Sequence, residues 1–498
     1  MIVNMVKKIT AAVLLLSLTA ALMASCDKDN TDSKKPTNES GEVSQTGGNA
    51  DSTYDYVDKY VAELAEECGG YNGKTVTVIS RDTDLPTEEA ITGNLTSDAL
   101  YRRNMEIEDK FNVKMTSVLA TGEGYTDGAP SLEIADKVKT DTMARTGEYD
   151  IIICNIMIGG TNMLIDGTIR PVDDLPALNF SKSWWLNDLE EQLSIGERLY
   201  YLTGKVVTGH YSDPAAIIYS KDMAAKYNIG DIYSYVNDGT WTIDKMQEIA
   251  SVVPTGNDTY RYYAQGGIDL LMGGGITLSG RDADGKPTLP NQLDNNTVSY
   301  MEKIASFLND KTQNIHNDNV IILGSGSTYT AEDAWDDGKF LFWLDNMGRA
   351  ADVLERETEF GILPIPKKDE TQENYISYCK ADRTAAIFIS KSAKDTEMSA
   401  YLIEAMAALS EKHLEPAYYD KLLKGRSADG IDERRMLDLI YTTKKYDLAD
   451  IYKWGEIAKT IDGMLASNIE GLASTYRASI RMATLELDNM IEAIQNEK

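Results

Sequence analysis

Three places in this chain set hydrogen-bonding side chains just beyond an apolar run. Arg81-Asp82-Thr83-Asp84 follows residues 75–80, Cys154-Asn155-Ile156-Met157 closes residues 149–154, and Asp345-Asn346-Met347-Gly348-Arg349 follows 340–344, with Trp343 just inside that run. Carboxylates, amides and guanidinium groups beside an indole are the equipment of noncovalent recognition: rings stack on C–H faces, and polar groups pair with hydroxyls. Covalent and metal chemistry fare worse. The three histidines, His210, His316 and His413, have no partner four residues on, which excludes a helical zinc pair. Gly273-Gly274-Gly275 lacks the Lys-Ser or Lys-Thr that a phosphate loop requires. Asp282-Ala283-Asp284-Gly285 begins like a calcium loop, but the later oxygen ligands and the closing Glu are absent. No Gly-x-Ser-x-Gly elbow stands in a strand–turn–helix setting. Carboxylates are too abundant for counting to exclude a glycosidase pair. No cofactor and no metal are expected.

One cysteine has its own chemistry. Lys7-Lys8 precede an apolar stretch over residues 9–22, and Met23-Ala24-Ser25-Cys26 follow it. A basic start, a short apolar core and small residues before a cut make a secretory signal. The stretch is shorter than the roughly 20 residues a membrane-spanning helix needs. A cysteine at the cut resembles a bacterial lipobox, with Met23 where that motif usually has Leu and Leu22 one place early. The motif implies that residues 1–25 are removed and that the Cys26 sulfur carries a diacylglycerol, anchoring the chain outside the cytoplasmic membrane. Residues 26–52 are rich in Ser, Thr, Asn, Asp and Gly and almost free of apolar side chains, so they read as a solvated tether. The 79 acidic and 49 basic residues give a net charge of −30. That balance argues against nucleic acid and against adhesion to anionic lipid. Cys68, Cys154 and Cys379 are odd in number and widely spaced, neither a disulfide framework nor a zinc site.

The elements that must hold these residues follow from periodicity. Val57, Tyr60, Val61, Leu64 and Cys68 predict a helix stopped by Gly69-Gly70. Strands over 75–80, 113–118 and 149–154 alternate with helices over 98–111 and 132–145, a β-α-β-α-β pattern that favours a parallel sheet. Residues 199–204 read as a hairpin edge and 215–220 as a buried strand. Helices follow after Thr240 and over 297–308 and 331–337, then strands over 339–344, 360–366 and 385–389. From residue 394 onward the chain is nearly all helix, and these helices are expected to lengthen one lobe.

Several segments occur in a telling order: Tyr149-Asp150-Ile151-Ile152-Ile153; Leu199-Tyr200-Tyr201-Leu202-Thr203-Gly204; Ala216-Ile217-Ile218-Tyr219-Ser220-Lys221-Asp222; Gly239-Thr240-Trp241-Thr242; Ala334-Trp335-Asp336-Asp337-Gly338-Lys339-Phe340; and Phe360-Gly361-Ile362-Leu363-Pro364-Ile365-Pro366-Lys367. Over roughly residues 72–420 this order resembles the extracellular solute-binding proteins of bacterial ABC importers, the family of maltose-type binding proteins. The resemblance implies a two-lobed α/β fold of the type II periplasmic-binding kind with a helical C-terminal extension. It implies a solute, most readily a carbohydrate or oligosaccharide, held between lobes by a hinged, monomeric, non-enzymatic protein that serves ABC permease subunits. The first lobe is expected to comprise 53–212 with 338–360, the second 213–337 with part of 361–498, and hinges to lie near 209–214 and 343–349. Alternatives are a surface polysaccharide hydrolase or lyase and a non-transport surface lipoprotein.

The candidate contacts are then Arg81, Asp82 and Asp84; Cys154 and Asn155, where the family often has an aromatic and an acid; Tyr211 and Asp213 at the crossing; Gln265 and Asp269, where the family's second lobe faces ligand; and Trp343, Asp345, Asn346 and Arg349. Asp345 and Arg349 have the alternative of pairing with each other. Of Trp184 and Trp185, one is expected to face the cleft, the alternative being a plug that anchors a lobe. Trp241 reads as a staple at a helix start and Trp335 as core.

Overall fold

Short apolar runs separated by helices of crossover length dictate a parallel sheet in the first half of the chain. The computed structural model describes residues 54–81, 94–120, 128–256, 258–264, 266–316, 321–322, 328–354, 356, 358–423, 430–467 and 469–496. After helix α1 (Asp55–Cys68) the pattern is β1 (Lys74–Arg81), α2 (Leu95–Phe111), β2 (Val113–Ala120), α3 (Gly128–Ala144) and β3 (Ile151–Asn155). The Asn94 side chain accepts from the amides of Thr96 and Ser97 at 3.0 and 3.3 Å and starts α2. Asn112, at φ 49°, ends α2 and turns the chain straight into β2. β1 pairs in parallel with β2, Lys74 opposite Val113, and with β3, Val78 opposite Ile151. All five residues of β3 are buried, as a strand covered on both faces requires.

The order in this sheet is β9-β3-β1-β2, where β9 (Ala385–Ile389) arrives from far along the chain and runs antiparallel to β3, Ile387 opposite Ile153. Leu202 exchanges backbone hydrogen bonds with Ile387 at 3.0 and 2.8 Å. Residues 199–204 therefore flank β9 rather than form a hairpin of their own.

A second sheet is built from β4 (Ala215–Ser220), β5 (Tyr260–Ala264), β6 (Asn314–His316), β7 (Phe340–Asn346) and β8 (Phe360–Pro364), in the order β8-β4-β7-β5-β6. α4 (Ile243–Ala250) follows β4, and β5, α5 (Ile268–Gly273), α6 (Asn295–Asn309) and β6 form the sheet's crossover unit. β7 lies parallel to β5, Trp343 opposite Tyr263, and antiparallel to β4, Trp343 opposite Ile218. This corrects the assignment of 338–360 to the first lobe. The place beside β3 belongs to β9, and β7, apolar from Phe340 to Leu344, is covered on both edges at the centre of the second sheet. Each sheet thus carries one reversed strand, β9 or β4.

The C-terminal helices do not lengthen one lobe. The 28-residue α7 (Thr396–Leu423) packs on α1 and α2, beside the first sheet. α8 (Ile431–Thr442) packs on β8, where Lys221 meets Glu433 at 2.7 Å. α9 (Ile457–Ala466) lies against α6, while α10 (Leu472–Asn496) lies against the turn Trp454–Glu456 and the short helix Thr161–Ile165 that follows β3. The extension therefore touches both halves. No described helix is long and apolar enough to cross a membrane.

Candidate functional site

The carboxyl end of β3 stands beside the amino end of β9, and that of β7 beside the amino end of β4, because Asn155 pairs with Ala385 and Asn346 with Ala215; the two places meet in one region, where Asn155 reaches the Asp382 carbonyl and Arg383 reaches Asp345. Residues 378–384 run through that region as a strap. Asn155, fully buried at the end of β3, accepts from the amides of Met157 and Ile158 at 3.0 and 2.8 Å. Its amide nitrogen donates to the carbonyls of Ala381 and Asp382 at 3.1 and 2.9 Å. Arg383 reaches the other way, to Asp345 Oδ1 at 3.3 Å, at the end of β7. Asp450 accepts from the Tyr378 hydroxyl at 2.5 Å and from the Ala381 amide at 2.9 Å. Lys380 lies 3.5 Å from Asp462 on α9, whose other oxygen accepts from the amides of Gly267 and Ile268 at 2.8 and 2.9 Å. One strap is thus tied to both sheets and to the C-terminal helices.

Beside the strap lies a cavity of about 410 Å³. Met157 stands on its wall from the first half and Ile268 from the second, with Lys380 and Asp382 from the strap. The C-terminal segment contributes Asp450, Lys453, Glu456, Lys459 and Asp462. Its electrostatics are those of a half-dry charge network. Burial pushes the Asp269 carboxyl up to about 6 against the opposing pull of Lys380, with Asp462 adding to the rise. Burial likewise pushes Asp450 up to about 6, opposed by its bonds to Tyr378 and Ala381. Burial works against the charge of Lys380, but Asp269 and Asp462 outweigh it and hold the ammonium above its ordinary range. The arrangement can hold a polar guest by charge and hydrogen bonds.

The residues singled out from sequence divide sharply. Asp269, Asp345 and Arg349 join this network: Arg349 Nε meets Asp345 at 3.2 Å, its guanidinium meets Glu332 at 2.5 Å, and it lies 5.1 Å from the Trp343 ring centre. Asp345 and Arg349 therefore do pair with each other. Asn155 is a structural tie. Asn346 caps the helix Met347–Val353 by accepting from the Arg349 amide at 3.1 Å. Cys154 is buried against Gly159, and Trp343 is buried among Tyr263, Trp335 and Phe340 in the second lobe's core. Tyr211 is buried and stacks on Tyr418 with ring centres 4.3 Å apart, and the buried Asp213 accepts from the Ser212 hydroxyl at 2.9 Å. Arg81 ends β1. Asp82, Asp84 and Gln265 lie outside the described residues.

The expectation that Trp184 or Trp185 faces a cleft is corrected. They are 1% and 2% exposed, and their indole nitrogens donate to the buried Glu404 of α7 at 3.1 and 3.0 Å. The Tyr60 hydroxyl at 2.9 Å and the Asn179 amide at 3.1 Å complete four donors around that carboxylate. The pair is a plug that holds the helical layer on the first sheet. Trp241 is buried and donates to the Pro364 carbonyl at 2.9 Å.

Sequence reading missed Lys380, Asp382, Asp450, Lys453, Glu456, Lys459 and Asp462. They stand on a strap without regular structure and on the C-terminal helices, where no strand end points to them. The one local signal is Lys453-Trp454-Gly455-Glu456, a glycine breaking an otherwise helical run of charged residues.

No protein-family model matches the sequence, and no curated protein matches it. Solved structures do match. A cyclo/maltodextrin-binding protein complexed with maltotetraose superposes with a TM-score of 0.55 at 14% identity, over 85% of this chain and 98% of that one. A sugar transporter from Rhizobium etli in an open conformation gives 0.53 at 14% identity, over 83% and 99%. An ABC substrate-binding protein from Listeria monocytogenes in complex with cycloalternan gives 0.50 at 10% identity, over 85% and 99%. Two sheets of matching construction, a strap between their strand ends and this coverage lead to one statement: the chain has the two-lobed α/β fold of the ABC solute-binding proteins.

Proposed function

We propose that this chain is the capturing component of an ABC importer, held outside the cytoplasmic membrane by a lipid on Cys26, which binds a small carbohydrate between its lobes and does no chemistry on it. The observation that carries this reading is the position of the cavity, about 410 Å³, where Met157 of one half and Ile268 of the other both stand on its wall. Ligands of α/β sheets collect beyond the carboxyl ends of the strands, and pockets of this size suit small solutes. The likeness to structures holding maltotetraose and cycloalternan supports the carbohydrate class. In this reading Lys380 and Asp382 meet the guest, and Asp269, Asp345 and Arg349 form the charged floor behind them. The expected hinge near 343–349 falls within β7 and the helix that follows it, inside the second half, so the hinge in this reading is the pair of crossings between the sheets, near 209–214 and over 365–384. A guest that touches both halves shifts the population toward a closed form, which a permease then recognises.

The test joins thermal shift with small-angle scattering on the purified monomer across a panel of sugars, polyols and oligosaccharides. The expected result is a solute that raises the melting temperature and reduces the radius of gyration. A tight solute that leaves the radius unchanged refutes closure. Loss of membrane association in Cys26→Ala tests the anchor. A hydrolase reading draws on the two carboxyl groups near 6, Asp269 and Asp450. Polysaccharide turnover abolished by Asp269→Asn would select it.

A further inference from the structure

The cavity offers charge where a stacking site offers rings. None of the six tryptophans, all among the described residues, is more than 2% exposed. The one aromatic side chain on the cavity wall, Tyr378, is 1% exposed, and its hydroxyl is given to Asp450. Seven of the twelve lining residues are ionisable instead. Three of these, Lys380, Asp450 and Asp462, are engaged with one another or with the strap. The other four, Asp382, Lys453, Glu456 and Lys459, are exposed and make no side-chain hydrogen bond or ion pair among the described residues. They are two of each sign.

A second observation is independent of charge. Lys453 and Glu456 have φ of 54° and 49°, in the left-handed region that crowds any β-carbon. Gly455 between them, at φ 56°, has a packing reason: a β-carbon there would run into the backbone of Ser479 and Ala483 on α10. Nothing comparable demands Lys453 or Glu456, and glycine would relieve the backbone at both places. Strained non-glycine residues persist where their side chains have work to do, and both of these line the cavity.

We propose that the guest is a zwitterionic sugar, a small carbohydrate carrying an ammonium and a carboxylate, whose carboxylate meets Lys453 and Lys459 and whose ammonium meets Glu456 and Asp382. This rests on the reading of the cavity as a solute site and goes beyond it. Charge-assisted pairs then supply the orientation that ring stacking supplies elsewhere.

The test is calorimetric titration of the full chain at low ionic strength with four probes: glucose, glucuronate, glucosamine, and muramic acid, an amino sugar bearing a lactyl carboxylate. Muramic acid is expected to bind at least about tenfold tighter than each of the others, the loss of one charged pair being worth about that factor. Its affinity is expected to fall as salt is added. Lys453→Gly and Glu456→Gly should each raise the melting temperature of the unliganded protein while weakening muramic acid about tenfold. Glucose binding as tightly as muramic acid overturns the charge reading and leaves solute capture standing. Failure of all four probes overturns it as well, while capture is judged separately by the scattering panel. A lower melting temperature in both glycine variants overturns the strain argument and with it the proposal.

Discussion

Asn155→Asp changes one atom at the tie between the first sheet and the strap. The wild-type amide nitrogen donates to the carbonyls of Ala381 and Asp382 at 3.1 and 2.9 Å, while Oδ1 accepts from two amides. An aspartate keeps the accepting half and places a carboxylate oxygen against two carbonyl oxygens. Two hydrogen bonds are lost at about 1 kcal/mol each, and one buried and one part-buried carbonyl are left beside a negative charge, for a total of about 3–4 kcal/mol. Protonation restores one donor. The new carboxyl is disfavoured as an anion in the folded state, so its folded pKa lies above the unfolded value of about 4. The folded protein then binds the extra proton, and the deficit shrinks as pH falls through that raised pKa. Urea unfolding followed by circular dichroism at pH 7.5 and pH 5 measures both effects. If Asn155 were a ligand contact on a pre-formed wall, the variant would unfold within about 0.5 kcal/mol of wild type at both pH values, as surface substitutions do. That result would refute the tie.

Trp184→Phe and Trp185→Phe each remove one donor from the buried Glu404 and should cost about 2–3 kcal/mol in urea unfolding, with solute affinity unchanged; normal stability with lost affinity would return the pair to the cleft. Asp269, raised to about 6, makes stability fall as pH rises from about 4 to 6, because the folded form holds the proton the unfolded form has released. The decline attributable to it is at most about 2–3 kcal/mol, and Asp269→Asn should remove that part of the profile; an unchanged profile would place Asp269 in water. Arg383→Ala and Asp345→Ala should show a coupling of about 1–3 kcal/mol in a double-mutant cycle, while additive losses would mean that the strap is not held to β7 through this pair.

Much of the fold was legible in the chain. β1, β2 and β3 with their crossover helices, the run 215–220 and the helical stretch after 394 all follow from apolar spacing and helix capping, which act over a few residues. The core place of Trp335 was legible for the same reason. The charge network beside the cavity was legible only in part: Asp345 stands at the end of β7, and Asp269 and Arg349 stand on the helices that follow β5 and β7, places that can be counted from sequence.

What the linear chain left open was partnership. An apolar run such as 340–344 satisfies its backbone in any sheet, and its neighbours are decided by which other strand competes for each edge. β9 took the place beside β3, and β7 went to the second lobe. Trp184 meets its carboxylate 220 positions away, and Gly267 is capped by Asp462 across 195. No local pattern encodes such pairs, because the energy that fixes them is desolvation, which exists only once both groups are buried together. The amino-acid sequence determined the strands, the helices and the charge this protein carries. Only the tertiary structure decided which carboxylates were buried beside the strap, which indoles became core, and that the strap and the final helices would line the cavity.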